Sequence, residues 1–239
     1  MAVSSKMQPG RNPSQKRGVK MLSTAPLFEI DHMAQALPKQ VTFDEFIEWL
    51  PENSEVRYEL HDGVIIQMPK PTGKHSNVTG FLIEELVLTI IQMGKRGIWT
   101  IPRESIVKPT NEKSGYEPDI IVLDQDAISS EPRWERESII ENATSIKLIV
   151  EVVSTNWRDD YHKKLADYEE MGIPEYWIVD YAALGGRAFV GNPKEPTIFI
   201  YQLVEGEFQV SQFRQGDSLI SPIFPDLNLT ADQIFQVGR

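Results

Sequence analysis

The 239-residue sequence contains no cysteine. That absence removes disulfides, thiolate zinc sites and thiol nucleophiles together. Long apolar runs are missing as well. The amino end, MAVSSKMQPGRNPSQKRGVKMLSTAPLFEI, has no stretch suited to a signal peptide, and no later segment is long enough to cross a bilayer. A cytoplasmic protein without membrane association is the expectation. Positive charge is in short supply, with 24 Lys and Arg against 35 Asp and Glu, and it is unevenly placed. Residues 1–40 hold six bases and two acids, so the rest carries 18 bases against 33 acids, a balance of −15 behind the overall −11. Duplex nucleic acid is repelled on average by such a surface, because phosphates set most of its sequence-independent affinity. A nucleic-acid role therefore requires a local basic face or a bound cation.

What is present is ample core: 41% of the residues are apolar, enough for one domain with a loose tail. Residues 1–38 are rich in Ser, Pro, Gln and bases without apolar rhythm, which predicts a disordered leader, with Met21 and Met33 as internal starts. The domain then runs over 39–239. Thr42 with Glu45 three residues on has capping-box spacing and opens a short helix. RYELHDGVIIQM alternates around His61-Asp62-Gly63 as a hairpin. From His75 to Met93, Val78, Phe81, Leu82, Leu86 and Ile90 recur at helical spacing up to Gly94. Strands are expected at 97–101, 103–108, 118–123 and 147–153, a helix at 158–171 closed by Gly172 and Pro174, and a strand at 175–181. The last third reads as further strands and hairpins ending in a short helix. This is an α+β pattern with a mixed sheet, in which 147–181 forms a parallel crossover.

Two carboxylates stand where apolar residues are expected. Asp119 enters the strand of YEPDIIVLD, and Glu151 sits inside IVEVV. Close together and dry, they repel unless a cation lies between them, and carboxylates with retained waters are the donors of a magnesium site. The alternative is that Asp119 caps a strand and Glu151 pairs with an Arg or Lys. On the helix that follows, Tyr161, Leu165 and Tyr168 define one stripe, Lys164 and Asp160 lie on its edge, and Lys163 and Asp159 point the opposite way. Lys164 is thus predicted to reach back to Glu151 along the apolar boundary, and Lys163 to face water. An ordinary helical Asp160–Lys164 pair is the plainer reading.

The order Pro118-Asp119, then E-x-x-S from Glu151 to Ser154, then D-x-x-x-K-x-x-x-Y through Asp160, Lys164 and Tyr168, then GIPEYWIVD from Gly172 to Asp180, resembles the Uma-type restriction endonucleases. That family belongs to the PD-(D/E)XK nuclease superfamily. The likeness extends over about 41–235 and takes in Glu59 of YELHDGVI and Gly73 with His75. It implies a restriction-endonuclease-like fold, a mixed β-sheet core flanked by helices, with extra β-hairpins. The chain departs from the superfamily's E-x-K, since Val153 stands at the lysine's place. Related nucleases supply that ammonium from the next helix, and Lys164 matches by its distance from Tyr168.

The resemblance implies a Mg²⁺ or Mn²⁺ ion held by Asp119, Glu151 and the main-chain carbonyl of Val152, with Glu59 as an outer ligand. DNA is the implied substrate, cut by in-line attack of an activated water that Lys164 orients. His75 is a candidate phosphate ligand or helix-end brace, and Asp160 a positioner of Lys164. A homodimer is expected, since both strands are cut and an exposed sheet edge favours a partner. The rival expectation is a catalytically inactive binding or regulatory module of the same fold, its acids serving as an ion-pair network.

Overall fold

The computed structural model describes residues 40–51 and 55–239, all within one unit, Pro38–Arg239. The leader expected over 1–38 and the starts at Met21 and Met33 lie outside the described residues. Helix α1, Phe43–Trp49, begins at Thr42 with both halves of the capping box formed. It buries Phe43 and Phe46 against Leu60 and Ile139. Strands β1, Tyr58–His61, and β2, Val64–Gln67, form the expected hairpin. Its turn needs two left-handed residues, met by Asp62 at φ 49° and Gly63 at φ 81°.

Helix α2, Gly73–Gln92, buries Val78, Leu82, Leu86 and Ile90 along one face. Strands β3, Trp99–Thr100, and β4, Ile106–Val107, are much shorter than the expected 97–101 and 103–108. Pro102 lacks an N–H for a ladder and Glu104 is left-handed at φ 60°, so the chain breaks between them. Strand β5 is Ile120–Asp124, followed by helices α3, Gln125–Ile128, and α4, Trp134–Glu137, and strand β6, Ile139–Ile140. Strand β7 is Ile146–Val152. The helix expected at 158–171 is two structures, a π-helical turn over Asp159–Lys164 and helix α5, Leu165–Met171. The wider turn leaves Asp160, Tyr161 and Lys164 all buried. Gly172, left-handed at φ 88°, ends it. Then come β8, Glu175–Asp180, helix α6, Arg187–Val190, hairpin strands β9, Thr197–Val204, and β10, Glu207–Phe213, and helix α7, Ala231–Val237.

Six strands form one mixed sheet in the order β10-β9-β8-β7-β5-β3. β7 and β8 are its parallel pair, joined by the expected crossover. Alternation divides the core. Val150, Val152, Trp177 and Val179 meet α2 and α7 on one face, whereas Ile149, Tyr176 and Ile178 meet Tyr161 and Tyr168 on the other. At the β10 edge, Phe208 N–H donates to Glu169 at 2.6 Å and Arg214 N–H to Asp217 at 2.7 Å, so carboxylates occupy both ends of the open ladder.

β1 is anchored through Gly115, whose N–H and C=O both pair with Leu60 at 2.9 Å. A Cβ on Gly115 would stand 2.6 Å from the Phe43 ring. Gly115→Ala is therefore expected to displace Phe43 and cost about 1–3 kcal/mol, read as a lower urea midpoint at unchanged slope. An unchanged midpoint would show that this contact does not hold β1 in place.

Candidate functional site

β5 and β7 run antiparallel with Ile120 opposite Val150, so the next step of the ladder brings Asp119 beside Glu151. Alternation places both acids on the sheet face that carries Ile121 and Ile149, under the π-helical turn. Asp119 Oδ2 accepts the Val152 N–H at 2.9 Å. Helix α2 brings His75, whose Nε2 lies 2.9 Å from the Val152 carbonyl and 3.2 Å from Asp119 Oδ2. Two oxygen neighbours assign the hydrogen to Nε2.

The turn delivers Lys164, 1% exposed. Its Nζ lies 3.0 Å from Glu151 Oε1, 3.2 Å from Glu59 Oε1 and 3.7 Å from Asp160 Oδ1, and it stands over the Tyr116 ring at 5.6 Å. The Tyr168 hydroxyl donates to the same Glu151 oxygen at 3.4 Å. Glu59 is fixed from behind by His61 Nε2 at 2.9 Å and by the Glu117 N–H at 3.2 Å.

Burial works against every charge here, and neighbours decide the outcome. For Lys164, Glu151, Glu59 and Asp160 outweigh burial and hold the ammonium well above its ordinary range. His75 is raised too, because Asp119 and the Val152 carbonyl outweigh its burial. Asp119 is lowered against burial by His75, Arg57 and the Val152 N–H. Glu59 is lowered against burial by Lys164 and His61. Glu151 goes the other way: burial pushes it up to about 7, with Asp119 and Glu59 adding to the rise and Lys164 opposing it. Burial likewise raises Asp160.

Asp119, Glu151, Val152, Lys164, Asp160 and His75 line one cavity of about 230 Å³. Glu59 stands behind Lys164 and closes the acid cluster without lining that cavity. Among the described residues, no group of three or more His, Asp or Glu is arranged as a metal cage by itself. The donors that remain are nonetheless hard oxygens in a charge-deficient place. Glu151 Oε2 takes no hydrogen bond from the described residues, and Asp119 Oδ1 has only Arg57, at 3.6 Å. Three buried carboxylates, Glu59, Glu151 and Asp160, face one buried ammonium with the partly buried Asp119 beside them, and these oxygens fit a divalent cation. The Val152 carbonyl is shared, since one of its lone pairs already accepts from His75.

Lys163 does not simply face water as expected. Its Nζ pairs with Asp62 at 2.7 Å and Asp167 at 3.1 Å, tying the helix to the β1–β2 turn, because the π-helical turn widens the arc facing that hairpin. Two members of the site were not singled out from the sequence: Arg57, which lines the cavity, and His61, which holds Glu59. Period-two spacing with Glu59 puts both on one side of β1, and that signal was available.

Residues 43–232 match the model of the Uma2 family, described as "Putative restriction endonuclease". Among solved structures, the crystal structure of a "putative nuclease belonging to DUF820" from Anabaena variabilis superposes with a TM-score of 0.64 at 22% identity, over 83% of this chain and 99% of that one. Identity that low speaks for the fold alone. Among curated proteins no relative matches.

Proposed function

We propose that this chain, which belongs to the Uma2 family, is a metal-dependent endonuclease that hydrolyses DNA phosphodiester bonds by in-line attack of water. One observation carries the reading: a buried lysine reaches Glu151 at 3.0 Å on the wall of a cavity that Asp119 also lines. A structural ion pair has no need of a cavity in front of it.

Asp119, Glu151 and the Val152 carbonyl are the residues that would hold Mg²⁺ or Mn²⁺, with Glu59 acting from behind Lys164. Such an ion, when bound, polarises a phosphate oxygen and acidifies a water. Lys164 stays protonated, held so by its three carboxylates, and therefore acts as a charge and a donor rather than as a base. Its ammonium offsets charge gathering on the phosphoryl oxygens as water adds to phosphorus and the opposite P–O bond breaks. Asp160 and Glu59 fix where Nζ stands. His75 keeps the Asp119 carboxylate and the end of β7 in register. A homodimer belongs to the same proposal.

The test is cleavage of labelled DNA with Mg²⁺, Mn²⁺ or chelator. Native protein is expected to cut only with the cation, and Asp119→Asn to lower the rate by about 10²–10³-fold. Cleavage by Asp119→Asn at the native rate, or none by the native protein on any DNA with either ion, would favour the inactive binding module.

A further inference from the structure

Arg57 lies just before β1 and lines two cavities at once: the one holding Asp119 and Glu151, and a larger one of about 930 Å³. His75 and Asp119 stand on the same shared wall. The guanidinium is 3.6 Å from Asp119 Oδ1 and 3.7 Å from Glu117 Oε1, near enough for attraction but too far for a hydrogen bond. Its N–H donors are thus uncommitted among the described residues. A guanidinium held in place by acids without being consumed by them can grip a planar or tetrahedral anion with two donors.

The larger cavity is lined by Ile83, Ile101, Ile106 and Ile121 together with polar and charged side chains, Thr79, Arg103 and Glu104 among them. Ser105 lines it too, with a buried hydroxyl that has no hydrogen-bond partner among the described residues. Glu117 adds an acceptor, and Tyr58 closes one end with Trp49 packed edge-on at 5.0 Å and 47% exposed. Gly80 forms part of the wall from the interior of α2, a 20-residue helix, where a glycine weakens the helix relative to other residues. A Cβ there would meet nothing within 4 Å. Gly80 is exposed and lines the cavity, so a long side chain at this position would extend into the open space at its wall.

Resting on the nuclease reading above, we infer that the larger cavity is a nucleoside subsite and that the substrate is single-stranded DNA. The scissile phosphate lies at the junction under Arg57, and the neighbouring nucleotide leaves its stack to place its base between the isoleucine walls and Tyr58. Apolar walls with a few polar groups are how small-molecule pockets bind, and aromatic faces receive unstacked bases without reading their sequence. Glu117 selects for bases that present an amino group. A base inside a duplex cannot enter, and the chain's net charge of −11 disfavours the denser charge of a duplex.

The experiment is fluorescence anisotropy of a labelled DNA oligomer, alone and annealed to its complement, in Ca²⁺ to limit cleavage, with melting curves run alongside. The native protein is expected to bind the single strand about tenfold more tightly than the duplex. Gly80→Leu is expected to weaken single-strand binding about tenfold while keeping or raising the melting temperature, since it strengthens the helix and fills the subsite. Arg57→Gln is expected to weaken it by a similar factor. Equal or tighter binding of the duplex, or Gly80→Leu binding as the native protein does, overturns the subsite. If the native protein cuts duplex DNA with Mg²⁺ and Gly80→Leu cuts it equally, the subsite falls while the nuclease reading stands. A native protein that neither binds nor cuts any DNA removes both.

Discussion

Replacing Lys164 by methionine is expected to lower the stability of the metal-free protein by about 3–5 kcal/mol and to abolish cleavage. Methionine matches the length of the stem and removes only the ammonium. What remains is Glu59, Glu151 and Asp160, all buried and within 3.2, 3.0 and 3.7 Å of the lost charge. Breaking one side of a buried ion pair leaves the other side uncompensated, which is the costly case. In a chain of this size the loss corresponds to a fall in melting temperature of about 10 °C. Two controls isolate the cause. Adding Glu151→Gln to Lys164→Met is expected to recover part of the loss, a coupling that independent sites do not show. Mn²⁺ is expected to raise the melting temperature of Lys164→Met more than that of the native protein, because a bound cation replaces the missing charge. Lys163→Met, one residue away, removes a pair with the largely exposed Asp62 and one with Asp167, which keeps the Tyr116 hydroxyl as a donor, and is expected to cost less, about 1–2 kcal/mol. Similar losses at 163 and 164 would contradict the buried network.

The second large effect is a pH dependence. Burial, with Asp119 and Glu59 adding and Lys164 opposing, moves Glu151 from an ordinary value of 4.5 up to about 7. An acid raised in the folded state holds its proton more tightly there than in the unfolded chain. Its contribution is therefore complete below pH 4.5 and is lost as pH rises through about 7. A span of that size is worth on the order of 3 kcal/mol. Glu117, Asp160, Glu175 and Asp180 are raised by burial as well, so the native slope is a sum. The difference between native protein and Glu151→Gln isolates one residue. Urea unfolding without metal is expected to find Glu151→Gln close to native at acid pH and clearly more stable at pH 8. A difference that does not vary with pH would mean that Glu151 is ionised throughout, its charge fully met by Lys164.

The local features of this fold could be read from short stretches of sequence. The Thr42–Glu45 box, the Asp62-Gly63 turn, the buried stripe of α2 and the β7-to-β8 crossover each depend on residues near one another, and each formed. Lys164 was distinguishable from Lys163 because the apolar stripe of the helix fixes its phase, and the Asp160–Lys164 pairing survives in a π-helical turn. Features that depend on distant pairings were not legible. Glu59 meets Lys164 across 105 residues, a contact made only because Leu60 pairs with Gly115. Lys163 is drawn to Asp62 by the same hairpin. Arg57 carries no local signature beyond its alternation with Glu59, and its importance lies in two cavities that several separate segments enclose. The short β3 and β4 were overestimated because apolar residues on either side of Pro102 and Glu104 look like strand without being able to pair.

Calorimetric titration of Mn²⁺ into native protein, Asp119→Asn and Glu151→Gln tests the central claim most directly, since it needs neither a substrate nor turnover. A cation site built on these two acids predicts saturable binding by the native chain and its loss in both variants, with Lys163→Met binding as the native protein does. Native protein that takes up no Mn²⁺, or variants that bind it with unchanged affinity, would contradict that claim and leave the carboxylates as counter-charges of Lys164 alone.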